Sequence, residues 1–172
     1  MSERFFLDRV QTPIGCALLL TDAEDRLRAF DWDDHDERFQ RWLRVHYGKN
    51  VSLQPGRSDA VRDAVDAYFA GDLTSIDAIP CRTAGTPFQQ SVWAALREIP
   101  AGHTTSYGAL AAKLGSPAAT RAVGLANGSN PIGVVVPCHR VIGANGSLTG
   151  YGGGLERKRW LLAHEGVLLA VG

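Results

Sequence analysis

The chain has 172 residues, 45% hydrophobic and 21% charged, with 18 Lys/Arg against 18 Asp/Glu. That supply of apolar residues excludes long disorder, no apolar stretch approaches the ~20 residues of a spanning helix, and the charged opening MSERFFLDRV leads us to expect no signal peptide. An odd count of three cysteines (Cys16, Cys81, Cys138) argues against a disulfide framework, so a reduced, cytoplasmic protein with no membrane association is expected.

In chain order, residues 5–10, 16–21 and 27–32 are strand candidates separated by the turn-rich QTPIG and DAED. Phe39, Trp42, Leu43 and His46 then share one helical face that ends at Gly48. A second helix starts after Ser58, a good N-cap, carries Val61, Val65 and Tyr68 on one side, and stops at Gly71. Residues 72–85 lack a period and contain Pro80, which suggests a linker between an α/β domain over 1–83 and a mainly α domain over 84–172. Thr86-Pro87 opens the next helix, with Phe88, Val92, Leu96 and Ile99 on its expected buried face. Residues 106–114 form a short helix with Tyr107, Leu110, Ala111 and Leu114 on one stripe, and Ser116-Pro117 caps a third that runs through Arg121. Two short helices joined so tightly resemble a helix-turn-helix, an arrangement that also occurs in proteins that never touch DNA. The last helix covers about 155–164, with Trp160, Leu161 and His164 on one face.

The balanced charge conceals an asymmetry: residues 1–83 hold 11 basic and 15 acidic side chains, and residues 84–172 hold 7 and 3. No acid lies between Glu98 and Glu156, a stretch that contains Lys113, Arg121 and Arg140. A basic half suits a polyanion, yet two halves of opposite sign also simply attract one another, and charge alone leaves both open.

The most informative stretch is SNPIGVVVPCHRV, residues 129–141. The valine run reads as buried strand or extended chain, and Pro137 keeps its predecessor out of the helical region, so Cys138 is expected at a rigid change of direction beside His139 and Arg140. Cationic and hydrogen-bonding neighbours lower a cysteine pKa from its usual ~8.5 and favour the nucleophilic thiolate. A lone cysteine is more often buried and inert, which fits Cys16 and Cys81 but not the setting of Cys138. The cysteines show no CxxC spacing, the histidines no HxxxH pair, and no phosphate-binding loop is present, so neither a metal nor a cofactor is expected.

VPCHRVIG closely resembles the active-site motif of the O6-alkylguanine-DNA alkyltransferases, and TPFQQSVW, SYGALA, TRAVGLANGSNP, GYGGG and RWLLAHEG follow that family's order and spacing across residues 86–166. The first half is similar to the constitutive bacterial form of the family. The resemblance implies a ribonuclease H-like α/β N-terminal domain and a winged-helix-like C-terminal domain with the helix-turn-helix. It also implies irreversible transfer of an alkyl group from O6-alkylguanine, and from O4-alkylthymine, to Cys138, once per molecule. His139 and Glu165 match the groups that activate the thiol, with a water between Cys138 and His139; on an extended chain adjacent side chains point opposite ways, which would leave room for it. Tyr107 matches the donor to the guanine ring nitrogen, and Asn130 the brace of the active-site turn. Val141, Tyr151, Gly152 and Gly153 line the base pocket, together with the carbonyl of Cys138. Arg121 matches the finger that fills the gap left by a flipped nucleotide, with Tyr107, Ala122 and Lys113 beside it on the DNA side. The partner implied is double-stranded DNA entered from the minor groove by a protein monomer. Gly133 and Gly152 replace a proline and a serine found in some members, changes that would widen the pocket, and the zinc ligands of some N-terminal domains have no equivalents here.

A cysteine hydrolase would want Cys, His and an acid but leaves the helix pair unexplained. A lesion-binding protein without chemistry would lack Cys138, and a plain helix-turn-helix regulator has only the charge asymmetry to recommend it.

Overall fold

Three consecutive strands, β1 (Arg4–Thr12), β2 (Gly15–Asp22) and β3 (Leu27–Trp32), form an antiparallel meander in the computed structural model, which describes residues 3–49 and 51–168. β4 (Ser52–Pro55) pairs parallel to the free side of β1, giving the order β3-β2-β1-β4. β2 has a neighbour on each side and is buried along nearly its whole length, which its Ala-Leu-Leu-Leu run suits, because apolar side chains must cover both faces. On one face α1 (Asp36–Tyr47) lays Phe39 and Leu43 against Phe5, Leu18, Leu20 and Ala29. α2 (Asp59–Phe69) starts where Ser58 Oγ accepts from Val61 N, 3.4 Å, and buries Val61, Val65 and Tyr68.

The chain divides into two compact units, Met1–Ala84 and Gly85–Gly172. Residues 72–82, expected as linker, are instead built into the first unit. Ser75–Ala78 makes a 3-10 turn, Ile76 and Ile79 are buried, Leu27 N donates to Pro80 O at 2.8 Å, and Arg82 N donates to Leu27 O at 3.0 Å. The backbone of β3 therefore has a partner on its outer side, which no periodicity announces. β4 was not expected either: it is four residues long, largely exposed, and ends in Pro55.

In the second unit, Thr86 caps α3 (Pro87–Leu96) in a reciprocal box with Gln89. Phe88, expected inside, is 37% exposed; Trp93 takes the core place and its Nε1 donates to Ala126 O at 2.8 Å. β5 (Thr105–Ser106) leads into α4 (Tyr107–Lys113), capped by Ser106 Oγ. α5 (Thr120–Gly128) packs against α4, with Leu110, Ala111 and Val123 buried. Ser116 makes no side-chain cap; a 3-10 turn over Pro117–Ala119 precedes α5 instead. β6 (Val141–Ile142) lies parallel to β5, and α6 (Leu155–His164) closes the unit. The whole is a two-domain arrangement of mixed sheet and helices, and no helix among the described residues is long and apolar enough to cross a membrane.

Candidate active site

The valine run, residues 134–136, forms neither the strand nor the extended chain that was expected. Val135 N donates to Gly133 O at 2.7 Å, closing a γ-turn on Val134, whose φ is 66° although it is a fully buried β-branched residue. Cys138 N donates to Val136 O at 2.8 Å, closing an inverse γ-turn on Pro137, and Cys138–Arg140 then coil as a 3-10 turn. Asn130 braces this path from inside: Nδ2 donates to Val136 O (2.8 Å) and Ile132 O (3.3 Å), while Oδ1 accepts from Ile132 N (3.0 Å). Cys138 and His139 thus sit on a tight coil, not on an extended chain, and the alternation argument for the water between them does not apply. Asn127, not singled out from the sequence, is buried with Nδ2 at 3.5 Å from Cys138 O.

Behind Cys138 lies a buried charged cluster. His139 is fully buried and its Nε2 is 2.9 Å from Glu165 Oε2. Arg140 Nε and Nη2 both donate to Glu165, each at 2.8 Å, and Nη1 donates to Ile99 O. Burial pushes the Glu165 carboxyl up, but Arg140 and His139 together outweigh it and hold it well below the carboxylate range. The ionised carboxylate therefore accepts Nε2–H, which makes Nδ1 the unprotonated nitrogen. That Nδ1 is buried and has no hydrogen-bond partner among the described residues. Burial lowers the His139 pKa, Glu165 only partly opposing it, so the ring is neutral near pH 7 with its lone pair available.

Lys158 is the second surprise. It is fully buried, its Nζ donating to Val141 O and Thr149 O, 2.7 Å each, and burial lowers its pKa to about 8 against the pull of a Cys138 thiolate. Arg140, counted among the cations of the basic half, is therefore internal, and so is Lys158. The spacing Lys158, Leu161, Leu162, Glu165 is one helical stripe that continues past the last turn of α6, a signal the sequence held.

Pairing of Ser106 with Ile142 starts α4 beside the strand that leaves the Cys138 turn, which places Tyr107 there. The Tyr107 hydroxyl is 3.0 Å from Thr149 Oγ1, and its ring faces Gly124, where an added Cβ would sit 3.7 Å from Cδ1. Among the expected pocket residues Val141 and Gly153 are buried, Tyr151 is half-buried and Gly152 is exposed. Arg121 and Ala122 are exposed on α5, and Arg121 makes no hydrogen bond or ion pair among the described residues, whereas Lys113 Nζ is 2.9 Å from Glu98. No group of three or more His, Cys, Asp or Glu able to hold a metal occurs among the described residues.

Residues 87–167 match the family model described as the DNA-binding domain of 6-O-methylguanine DNA methyltransferase. The chain is 50% identical over 172 residues to the methylated-DNA–protein-cysteine methyltransferase of Shigella flexneri, covering 96% of this chain and 98% of that one. It is 59% identical over 111 residues to the protein of the same name from Mycobacterium tuberculosis, covering 64% and 67%. Among solved structures it is similar to Mycobacterium tuberculosis OGT in complex with DNA, at TM-score 0.78 and 43% identity over 96% of this chain and 92% of that one. It is also similar to the O6-methylguanine-DNA methyltransferase of Pyrococcus kodakaraensis, at TM-score 0.74 and 26% identity over 95% and 99%.

Proposed function

The chain belongs to the methylated-DNA–protein-cysteine methyltransferase family, and we propose that Cys138 is its alkyl acceptor in the direct repair of O6-alkylguanine in DNA, with O4-alkylthymine as a second substrate. The observation that carries this is the orphaned Nδ1 of His139, a neutral base with no partner on the residue next to the thiol. Nδ1 takes the thiol proton, directly or through one water, and Glu165 stabilises the imidazolium. The thiolate sulfur attacks the alkyl carbon in line, the carbon–oxygen bond breaks, and its electron pair leaves with the guanine, which Tyr107 protonates at a ring nitrogen. The thioether formed has no leaving group, so each molecule acts once.

The target atom is inside the base stack, so the nucleotide must be flipped out at a cost of about a few kcal/mol. α5 presents Arg121 for the gap, and small Ala118, Ala119, Ala122 and Gly124 allow close approach to the minor groove of double-stranded DNA. Val141, Tyr151, Gly152 and Gly153 receive the base, with Asn130 holding the turn that forms its wall and Lys113 at the edge of the interface. The order β3-β2-β1-β4 supports a ribonuclease H-like N-terminal domain over 1–83, and the α4–α5 pair with β5 and β6 supports a winged-helix-like domain over 84–172. The protein works as a cytoplasmic monomer without cofactor.

Incubation with duplex containing O6-methylguanine, followed by intact mass, tests the acceptor. Wild type, Cys16→Ala and Cys81→Ala should each gain one methyl group, and Cys138→Ala none while still binding the duplex. Methylation of Cys138→Ala, or its loss in either other variant, overturns the assignment.

A further inference from the structure

We propose that Thr149 is a positioning residue for Tyr107, its hydroxyl donating to the phenol oxygen so that the phenol proton is directed at the departing base. The inference rests on the reading of Tyr107 as proton donor. Thr149 is tied at two points: its carbonyl accepts from Lys158 Nζ at 2.7 Å, and its Oγ1 is 3.0 Å from the Tyr107 hydroxyl. Lys158 is itself held by Val141 O at 2.7 Å, so the loop that carries Thr149 is fastened to the strand leaving the Cys138 turn. A phenol has one proton. If that proton goes to the base, the phenol oxygen can only accept from Thr149, and this fixes the direction of the bond.

In the step itself the carbon–oxygen electron pair passes to the guanine, the Tyr107 proton moves to the ring nitrogen, and the phenol oxygen is left anionic. The Thr149 O–H stabilises that charge where it develops. The thiol proton meanwhile resides on His139; afterwards His139 releases it to water and Tyr107 takes one back, so charge balances.

The test is single-turnover transfer and duplex affinity for Thr149→Val, Thr149→Ser, Tyr107→Phe and the double variant Tyr107→Phe/Thr149→Val. Thr149→Val should slow transfer about tenfold with affinity unchanged, since the valine keeps shape and loses only the hydroxyl. Thr149→Ser should recover most of the rate, and the double variant should be no slower than Tyr107→Phe. Equal slowing by Thr149→Val in both backgrounds, a matching loss of affinity, or no slowing while Tyr107→Phe is slow would each overturn the proposal. A Tyr107→Phe rate equal to wild type would instead overturn the proton-donor reading, and this inference with it.

Discussion

Each unit of this chain buries a cluster of charges, and the two are built to different ends. In the first, Asp22 accepts at both oxygens: Oδ1 from Glu24 N and Arg26 N, Oδ2 from Arg26 Nε and Arg28 Nε. Arg28 also reaches Tyr47 and Glu3 and lies over the Phe5 ring, with its guanidinium carbon 5.2 Å from the centroid. Burial pushes the Asp22 carboxyl up, and the hydrogen bonds of Arg28 and Arg26 bring it below its ordinary value. This cluster locks the β2–β3 turn and leaves nothing to react. In the second, the carboxylate of Glu165 is as well served by Arg140 and His139, yet the chain of bonds stops one atom short, at Nδ1 of His139. A buried polar atom without a partner is costly, and this one is a basic nitrogen on the residue next to a thiol, where a proton acceptor has a use.

Removing each carboxylate separates the two designs. Asp22→Asn and Glu165→Gln both strip a buried arginine of its anion and should each cost about 3 kcal/mol of stability, measured by urea unfolding. Only Glu165→Gln should slow alkylation of the folded protein, by about 100-fold with the free modified base as substrate. The sign in pH follows from Glu165 pulling the His139 pKa up against burial. Wild type should hold its rate down through the ordinary histidine value of 6.5 and lose it only below, as acid protonates Nδ1. Without the carboxylate that acid limb moves lower still while the plateau falls. Equal slowing by Asp22→Asn would mean that stability, not the open nitrogen, sets the rate.

The elements of the two units were legible wherever local rules agree with the tertiary answer. The Ser58 and Thr86 caps, the Gly48 stop and the strands of the meander stand where period and capping put them. Legibility failed where a distant group overrides a local preference. Three valines favour extended backbone, but the Asn130 amide, bonding forward to Ile132 O and Val136 O, turns them, and Val134 carries the strain. Composition identifies Arg140 and Lys158 as cations without revealing that one serves a buried carboxylate and the other two carbonyls. Thr149 escaped because a threonine in a polar loop is unremarkable until its partner is seen.

Those two internal cations also sharpen the contrast between clusters that hold the fold and side chains that reach DNA. With Arg140 and Lys158 buried, Lys113 beside Glu98 and Arg157 half-buried and donating to Gly153 O, the cations of the second unit that reach phosphates are chiefly the exposed Arg121 and Arg159, with Arg97 half-buried. The logarithm of the duplex binding constant should then fall with log salt by no more than about 3, at roughly 0.9 per phosphate. Arg121→Ala should slow duplex repair by about 10- to 100-fold, through the cost of extrusion, and leave reaction with the free base unchanged. Equal loss on both substrates would move Arg121 from the DNA surface into the chemistry or the fold.

The smallest expected effect compares the two buried cations directly. Burial lowers the pKa of Arg28, but the hydrogen bonds to Asp22 and Tyr47 and the charges of Tyr47 and Glu3 together more than restore it. Among the described residues Lys158 has only carbonyl oxygens for hydrogen-bond partners, so burial prevails and its pKa drops to about 8. The one side chain that pulls Lys158 back up is Cys138, and only as a thiolate. Methylation converts that thiol to a thioether that carries no charge at any pH. In the alkylated protein Lys158 should therefore titrate below about 8, whereas Arg28, held by Asp22, should keep its charge. Nitrogen chemical shifts of the lysine side chain, followed through pH before and after single-turnover methylation, measure this. A Lys158 titration unmoved or raised by methylation would mean that the thiolate exerts no field on it, and that its low pKa is wholly a matter of burial.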